Sequence, residues 1–465
     1  MTRLSRAASL ASLSLLIASG AACNSGESLS SSTTSASSAT TGAGGAGTSA
    51  TTSDTSSSSS VGGDGGDGGN GGNGGNGGDG GAGLDIGVPS NVYPAKHGAP
   101  PKVVNYGGPL FASPQFVPVF FANDTPAMKD AIKDFLSKLG TSAYWAATTQ
   151  EYGVGPAVTT ASIELAEEAA ATIDGNAIKA WLAAKLNADD PAFTPVPAGA
   201  VYTLHYPAGT VITRNGQKSC QSFGGYHTNI TLDAAHGNAE VAFAVIPRCE
   251  SFYGLSGVDA VTAAASHELI ESATDPFPAT HPAFYALDNA HIYWMRYLGG
   301  GEVSDLCAPF PGAFYKPLDL GFTVQRSWSN KVALAGGDPC IPDAQGVYFN
   351  AVPVMKDTVK TTIYGVVIPS KGVKIPVGET RVVDVQLFSD ADTGGPFAVD
   401  VDDISKLFGG DKHLTITLDV SAGENGQTLH ASITNDSVGP DGTAAFVVTS
   451  TLGGKQNFWF GIVGK

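Results

Sequence analysis

From about Val103 onward, apolar and polar positions recur with definite periods, and the period changes along the chain. Phe116-Val-Pro-Val-Phe-Phe121 is an unbroken apolar run of strand length, which predicts a strand buried on both faces. Asp124 or Thr125 then offers a helix cap and Pro126 a first helical position. Met128, Ile132, Phe135, Leu136 and Leu139 form one apolar stripe, closed by Gly140. A second helix is expected around Ile178, Trp181, Leu182 and Leu186. Val201–Tyr206 and Val241–Ile246 read as strands, and an alanine-rich stretch from about Asp259 to Thr274 as a third helix. Strands and helices interspersed in this way predict an α+β domain with a mixed sheet over residues 100–343.

Beyond Pro342 the pattern becomes short alternating strands. Thr361–Ile368, Thr380–Leu387, Leu414–Val420, Thr428–Ile433, Ala444–Thr449 and Phe458–Val463 are separated by turns rich in Gly, Asp and Asn. Residues 346–465 are therefore expected to form an all-β sandwich of immunoglobulin-like type. The acidic stretches Asp390–Gly395 and Asp400–Asp403 are read as solvated loops rather than a calcium site.

The N-terminal part carries no such periodicity. Arg3 and Arg6 precede a short apolar run, Leu10–Ile17, followed by Gly20, Ala21, Ala22 and Cys23. This is the layout of an export signal over residues 1–22. It is of lipoprotein type, with Cys23 as the lipidated residue, although Gly20 stands where the lipobox usually has Leu. Ordinary cleavage after Ala22 is the alternative. Residues 23–84 are Ser/Thr-rich, then built of Gly-Gly-Asp and Gly-Gly-Asn triplets, without one aromatic side chain. They predict a disordered tether that would hold a domain off a membrane surface. The expected location is thus an outer-membrane or cell surface, otherwise the secreted fraction. Lys+Arg total 25 against 42 Asp+Glu, a formal net charge of −17, which disfavours a nucleic-acid partner.

Export makes disulfides plausible. Four cysteines follow Cys23 and allow three pairings, among which sequence alone does not choose; Cys220–Cys249 with Cys307–Cys340 is the favoured expectation because it closes the shortest loops in chain order. No close C-x-x-C pair supports a cysteine metal site.

The chemistry concentrates in Ala265-Ser-His-Glu-Leu-Ile-Glu-Ser-Ala-Thr-Asp-Pro276. His267 and Glu271, four apart, share one helix face and could grip one cation. Glu268 stands directly after His267, where H-E-x-x-H metallopeptidases carry the general base; here the second His is replaced and the pattern is H-E-x-x-E. Three ionisable groups in one turn of a buried helix are costly unless compensated, and a bound cation would compensate them. Downstream candidates for a third ligand are His281, Asp288, His291, Glu302 and Asp305. The best segment is Gly300–Cys307, where Gly299–Gly301 permits close approach and either Asp305 or Glu302 could complete the site. One divalent ion is expected, zinc first, with calcium or manganese possible. His227 and Tyr226 are candidate donors to an oxyanion.

At these residues the chain resembles the exordium, or phosphate-induced-protein, family of secreted plant proteins with bacterial relatives. The matching pieces are Tyr106–Pro109, Trp145 with Thr148, Thr149 and Tyr152, Gly225-Tyr-His227, His267–Glu271 with Thr274–Pro276, and Glu302-Val-Ser-Asp-Leu-Cys307. Their order and spacing agree over roughly 100–343. The resemblance implies an extracellular domain with a zincin-like helix but no particular reaction. The functional expectation is a surface or secreted metallopeptidase, in which a metal-activated water attacks a peptide carbonyl. The competing expectation is a non-catalytic adhesion protein that binds a cell-wall polymer and whose metal site is structural or vestigial.

Overall fold

Side-chain parity along four strands sorts the central sheet into two chemically different faces. The computed structural model describes residues 85–343, 346–404 and 411–465. The export signal with Cys23 and the tether expected from the sequence lie outside the described residues. β1 (Val103–Asn105) pairs away from the main sheet, with β8 (Phe284–Leu287). The main sheet comprises β2 (Gln115–Phe120), β3 (Val158–Thr159), β4 (Ile163–Glu164), β5 (Ala200–Tyr206), β6 (Tyr226–Thr231) and β7 (Glu240–Pro247). Its order is β3-β2-β5-β7-β6, with β4 also on β2. β2, β5 and β7 run parallel, and β6 closes the edge antiparallel to β7. The sheet is therefore mixed, as the sequence pattern predicts.

On one face lie Phe116, Phe120, Val201, Ala242, Ala244 and Ile246, packed with Ile132, Phe135 and Leu136 of α1 (Pro126–Leu139) and with Val261, Ala265 and Leu269. α2 (Ala143–Thr149) adds Tyr144 and Trp145 to that core. The other face, with Val117, Val119, Tyr202, Leu204, Phe243 and Val245, is covered by Ile178, Leu182 and Leu186 of α3 (Gly175–Asn187). α4 (Gly257–Thr274) supplies Val261, Ala265 and Leu269 on the first face. It is buried almost all round, with fourteen of its residues inside, as expected of a helix that is apolar on nearly every side. Because β6 alternates, Tyr226 joins the α3 side and its successor His227 points to the α4 side.

The described residues from Phe349 to Gly464 form two larger sheets. One is four-stranded, from β9 (Phe349–Pro353), β12 (Thr380–Ser389), β14 (Leu414–Leu418) and β16 (Thr428–Asn435), in the order β9-β12-β16-β14. The other is six-stranded, from β10 (Asp357–Ile363), β11 (Val366–Lys374), β13 (Phe397–Asp403), β15 (Ala422–Gly423), β17 (Thr443–Leu452) and β18 (Lys455–Gly464), in the order β10-β11-β18-β17-β13-β15. The single strand expected over Thr361–Ile368 is a hairpin. Tyr364 and Gly365 both have positive φ, which makes the two-residue turn that suits strand twist. The acidic stretch Asp400–Asp403, expected as loop, is strand. Phe397, Val399 and Val401 point inward while Asp400 and Asp402 alternate outward, and Asp403 accepts the backbone N–H groups of His413 and Leu414.

The change of pattern near 343 is not a break in packing. One continuous apolar core runs from Val103 to Val463. Tyr293 donates its hydroxyl to the Phe460 carbonyl, and Trp294 meets Trp459 edge-on at 5.4 Å. The first described segment, residues 85–97, without periodicity in sequence, is fixed to the C-terminal sheets. Thr428 donates its N–H to the Ile86 carbonyl, Asn425 donates to the carbonyls of Ser90 and Val92, and the His97 ring stacks on Phe388 at 3.7 Å. Both expected disulfides are present, Cys220–Cys249 with Cα atoms 5.1 Å apart and Cys307–Cys340 at 5.6 Å. Such bridges are consistent with an extracellular protein. Among the described residues no helix is long and apolar enough to cross a membrane.

His205, on β5, is buried with both ring nitrogens unbonded and its ring stacked on Phe120 at 5.1 Å. Burial first, then the Arg248 charge, lowers its pKa to about 3. Arg248 itself is held by a two-pronged pair to the buried Asp124. A depressed histidine pKa makes the unfolded chain bind the extra proton. The stabilisation is therefore whole above the unfolded value of about 6.5 and is lost as pH falls toward 3, at about 1.4 kcal/mol per pH unit within that window. His205→Phe should flatten the fall in melting temperature between pH 7 and pH 4 relative to wild type. Parallel losses in the two proteins would show that the ring is not held neutral.

Candidate metal centre

Three chain segments that are far apart in sequence meet at the middle of α4. The first is the helix itself, with its alanine-rich body and its stop at Asp275-Pro276. One turn presents His267, Glu268 and Glu271, all buried. The second is the start of edge strand β6, which brings His227. The third is the turn Glu302–Cys307, anchored by the Cys307–Cys340 bridge.

Two sets of ligand-type atoms converge, His227 with Glu268 and Glu271, and His267 with Glu271 and Asp305, each within 4.8 Å. Glu271 is common to both. Its Oε1 accepts the backbone N–H groups of Ser304 at 3.0 Å and Asp305 at 3.1 Å. Its Oε2 has no hydrogen bond, yet lies 3.1 Å from His267 Nε2 and 3.7 Å from His227 Nδ1. His267 Nε2 is also 3.6 Å from Asp305 Oδ1, and His227 Nδ1 is 3.5 Å from Glu268 Oε2. Nitrogen and oxygen ligands on a tetrahedral ion, with bonds of about 2.0–2.1 Å, stand about 3.3 Å from one another. The observed separations scatter around that edge length.

The tautomer of His267 follows from its other neighbour. Nδ1 lies 3.0 Å from Gln325 Oε1, and the amide is oriented because Gln325 Nε2 donates to the Ser304 carbonyl at 2.7 Å. Nδ1 therefore carries the proton, and a neutral ring turns its Nε2 lone pair toward two carboxylates. A lone pair facing carboxylates is repulsive unless a proton or a cation lies between. Burial opposes charge on His267, but Glu271, Glu268 and Asp305 raise its pKa well above the ordinary value. His227 is raised likewise, against burial, by Glu302, Glu268 and Glu271. Burial works the same way on Glu271, which the two imidazoles nonetheless hold below the ordinary range. Burial and then Glu271 push Glu302 well up, against the pull of His227, and burial takes Asp275 to about 6. The donor set fits a divalent cation, because an ion there would take up the Nε2 lone pair and the unbonded Glu271 oxygen together.

Of the two acids offered for the third position, Asp305 stands in a ligand set. Glu302 does not; its Oε1 lies 3.3 Å from His227 Nε2, on the side of the ring away from Glu268 and Glu271. That is the place of a carboxylate that orients a ligating imidazole. His227, expected as an oxyanion donor, stands with Glu268 and Glu271 in one of the two groups that could hold an ion. Tyr226 is removed from the site by strand parity, with its ring 4.6 Å from the Arg214 guanidinium on the α3 side. His281 pairs with Glu240, and His291 with Asp288, both outside the cluster. The glycines act by close approach. A side chain at Gly300 would strike Asp305 Oδ2, and one at Gly225 would reach Glu268 at 2.8 Å. Gln325 was invisible in sequence, since a lone Gln in a two-residue strand carries no pattern.

The cluster opens on one side to a small cleft of about 40 Å³. His267, Glu268 and Asp305 form its floor, and Phe252, Tyr253, Leu255 and Phe314 are among its walls. Glu271, His227 and Glu302 lie behind that floor.

No protein-family profile matches this chain, and no curated protein matches it. Among solved structures, the titin M3 domain aligns at 12% identity over 20% of this chain and 85% of that domain, with a TM-score of 0.14, too low to carry an argument.

The full chain should bind one zinc ion when titrated, read by elemental analysis after gel filtration. His267→Ala should lose it. Glu302→Gln should keep it with affinity lowered about 10–100-fold in chelator competition. Zinc retained in full by His267→Ala would show that the cluster is not the binding site.

Proposed function

We propose that the chain is a metal-dependent hydrolase, a metallopeptidase acting on peptide carbonyls outside the cytosol. The observation that carries the reading is the Glu271 oxygen, buried without a hydrogen bond between two imidazole nitrogens. His267, Glu271 and Asp305 would hold the ion, with His227 beside Glu271. Adding His227 makes the donor set two imidazoles with carboxylates, which favours zinc over calcium or manganese. A bound divalent ion supplies a Lewis acid that polarises a carbonyl and acidifies water.

The chain's own groups supply the rest. Glu268 lines the cleft floor beside His267 and would accept the proton of the attacking water, then return it to the leaving amine. Gly225 leaves the space that the Glu268 carboxylate occupies. The aromatic and aliphatic walls would seat an apolar side chain of the substrate and exclude water around the scissile bond. Gln325 behind His267 fixes that ring through the Nδ1 hydrogen bond, and Glu302 would orient His227 from 3.3 Å behind its Nε2.

The likeness to the exordium family supports the reading in one respect. Three of the segments that carry it, Gly225–His227, His267–Glu271 and Glu302–Cys307, are the three that converge here. On this reading the central part is a bacterial, zincin-like relative of that family, the C-terminal sheets are an immunoglobulin-like module, and Cys23 anchors the protein to the surface by lipid.

Glu268→Gln should retain zinc and melting temperature while lowering peptide cleavage about 10²–10⁴-fold, measured on a mixed peptide library by mass spectrometry. Gly225→Ala should also lower turnover, by displacing that carboxylate. Cleavage by Glu268→Gln at the wild-type rate would remove the catalytic assignment.

A further inference from the structure

A second recess lies where the central part meets the C-terminal sheets, and none of the groups described above as metal ligands reaches it. Its volume is about 350 Å³, against about 40 Å³ for the cleft over α4. Its lining includes Trp294, Trp328 and Trp459, three of the five tryptophans of the chain. The indole N–H of each is buried and makes no hydrogen bond. Arg326 lines the same recess, is only 8% exposed, and its Nε is likewise unbonded. The guanidinium lies over the Tyr315 ring at 4.6 Å, and among the described residues no carboxylate pairs with it. The acid in the recess, Asp338, is already engaged by Lys455 Nζ at 3.2 Å and the Cys340 N–H at 3.1 Å.

All four unsatisfied groups are donors, because indole and guanidinium nitrogens accept nothing. A buried guanidinium without a counter-charge is costly, and a tyrosine face offsets only part of that cost. The recess therefore lacks two things, hydrogen-bond acceptors and one negative charge, and it offers aromatic walls. A pyranose ring carrying a carboxylate has all the complementary parts. Its C–H face suits the aromatic walls, its hydroxyl and ring oxygens accept from the indoles, and its carboxylate matches the guanidinium edge left free by stacking on Tyr315. We propose that this recess binds an acidic sugar residue, a hexuronate unit of an extracellular polysaccharide. The site is separate from the hydrolytic reading and does not depend on it.

The test uses the full chain and follows tryptophan fluorescence and calorimetry during titration with galacturonate and its short oligomers, with glucose and benzoate as comparisons. Galacturonate oligomers should bind saturably, with glucose at least about 10-fold weaker for want of the charge-assisted bond. Glu268→Gln and chelator-treated protein should bind as well as wild type. Arg326→Met should erase the preference for uronate over glucose while its ligand-free melting temperature stays equal to or above that of wild type, since an unpaired buried charge has been removed. Trp459→Phe should weaken both sugars and leave the preference in place. Absence of uronate binding, or benzoate binding more tightly than any uronate, would overturn the assignment. A large drop in the ligand-free melting temperature of Arg326→Met would do the same, because it would show the guanidinium to be structurally paired.

Discussion

Two imidazoles and a surplus of carboxylates are held together out of water at the middle of α4, and much of the surrounding structure exists to tolerate that. Glu271 is the pivot. One of its oxygens takes two backbone N–H groups from the Ser304–Asp305 turn, which fixes the carboxylate without neutralising it. The other oxygen is left facing His267 and His227. A buried cluster of this kind is stable only with its charges matched, and its groups could hold a metal ion.

The supports come from every part of the chain. Cys307–Cys340 ties the ligand turn to the strand that ends the central part. Gln325, on a short strand paired with Phe314–Tyr315, sets the tautomer of His267. The edge strand β6 delivers His227 because its antiparallel register on β7 places His227 opposite Ala244, on the α4 face. The C-terminal sheets share one apolar core with the central part and close the second recess, where Trp294 meets Trp459. The two recesses have opposite character. The floor of the first is rich in acids and short of positive charge, and the second is rich in donors and short of acceptors.

Much of this was legible along the chain. The strands at Phe116, Val201 and Val241 and the helices at Pro126 and Gly257 follow directly from apolar runs and stripes, since burial on one or both faces writes a period into the sequence. Where local chemistry overrode the pattern, the reading failed. Tyr364-Gly365 looked like the middle of a strand because Tyr and its neighbours favour strands, but both residues take positive φ and turn the chain. Asp400–Asp403 looked like solvated loop because acids dominate the composition, although Phe397, Val399 and Val401 keep the alternation of a half-buried strand.

The sequence by itself determined the helix that carries H-E-x-x-E and the division into an α+β part and an all-β part, because each depends on spacing along a single stretch of chain; the cysteine pairing, open to three connectivities in sequence, was decided by the fold. Tertiary structure alone decided which residues complete the site. It set His227 beside Glu268 and Glu271, set Asp305 rather than Glu302 beside His267 and Glu271, sent Tyr226 to the opposite face, and brought in Gln325. The physical reason is that a coordination shell is assembled from strand parity, register and turn geometry in segments up to about a hundred residues apart, and no local period records where those segments will meet.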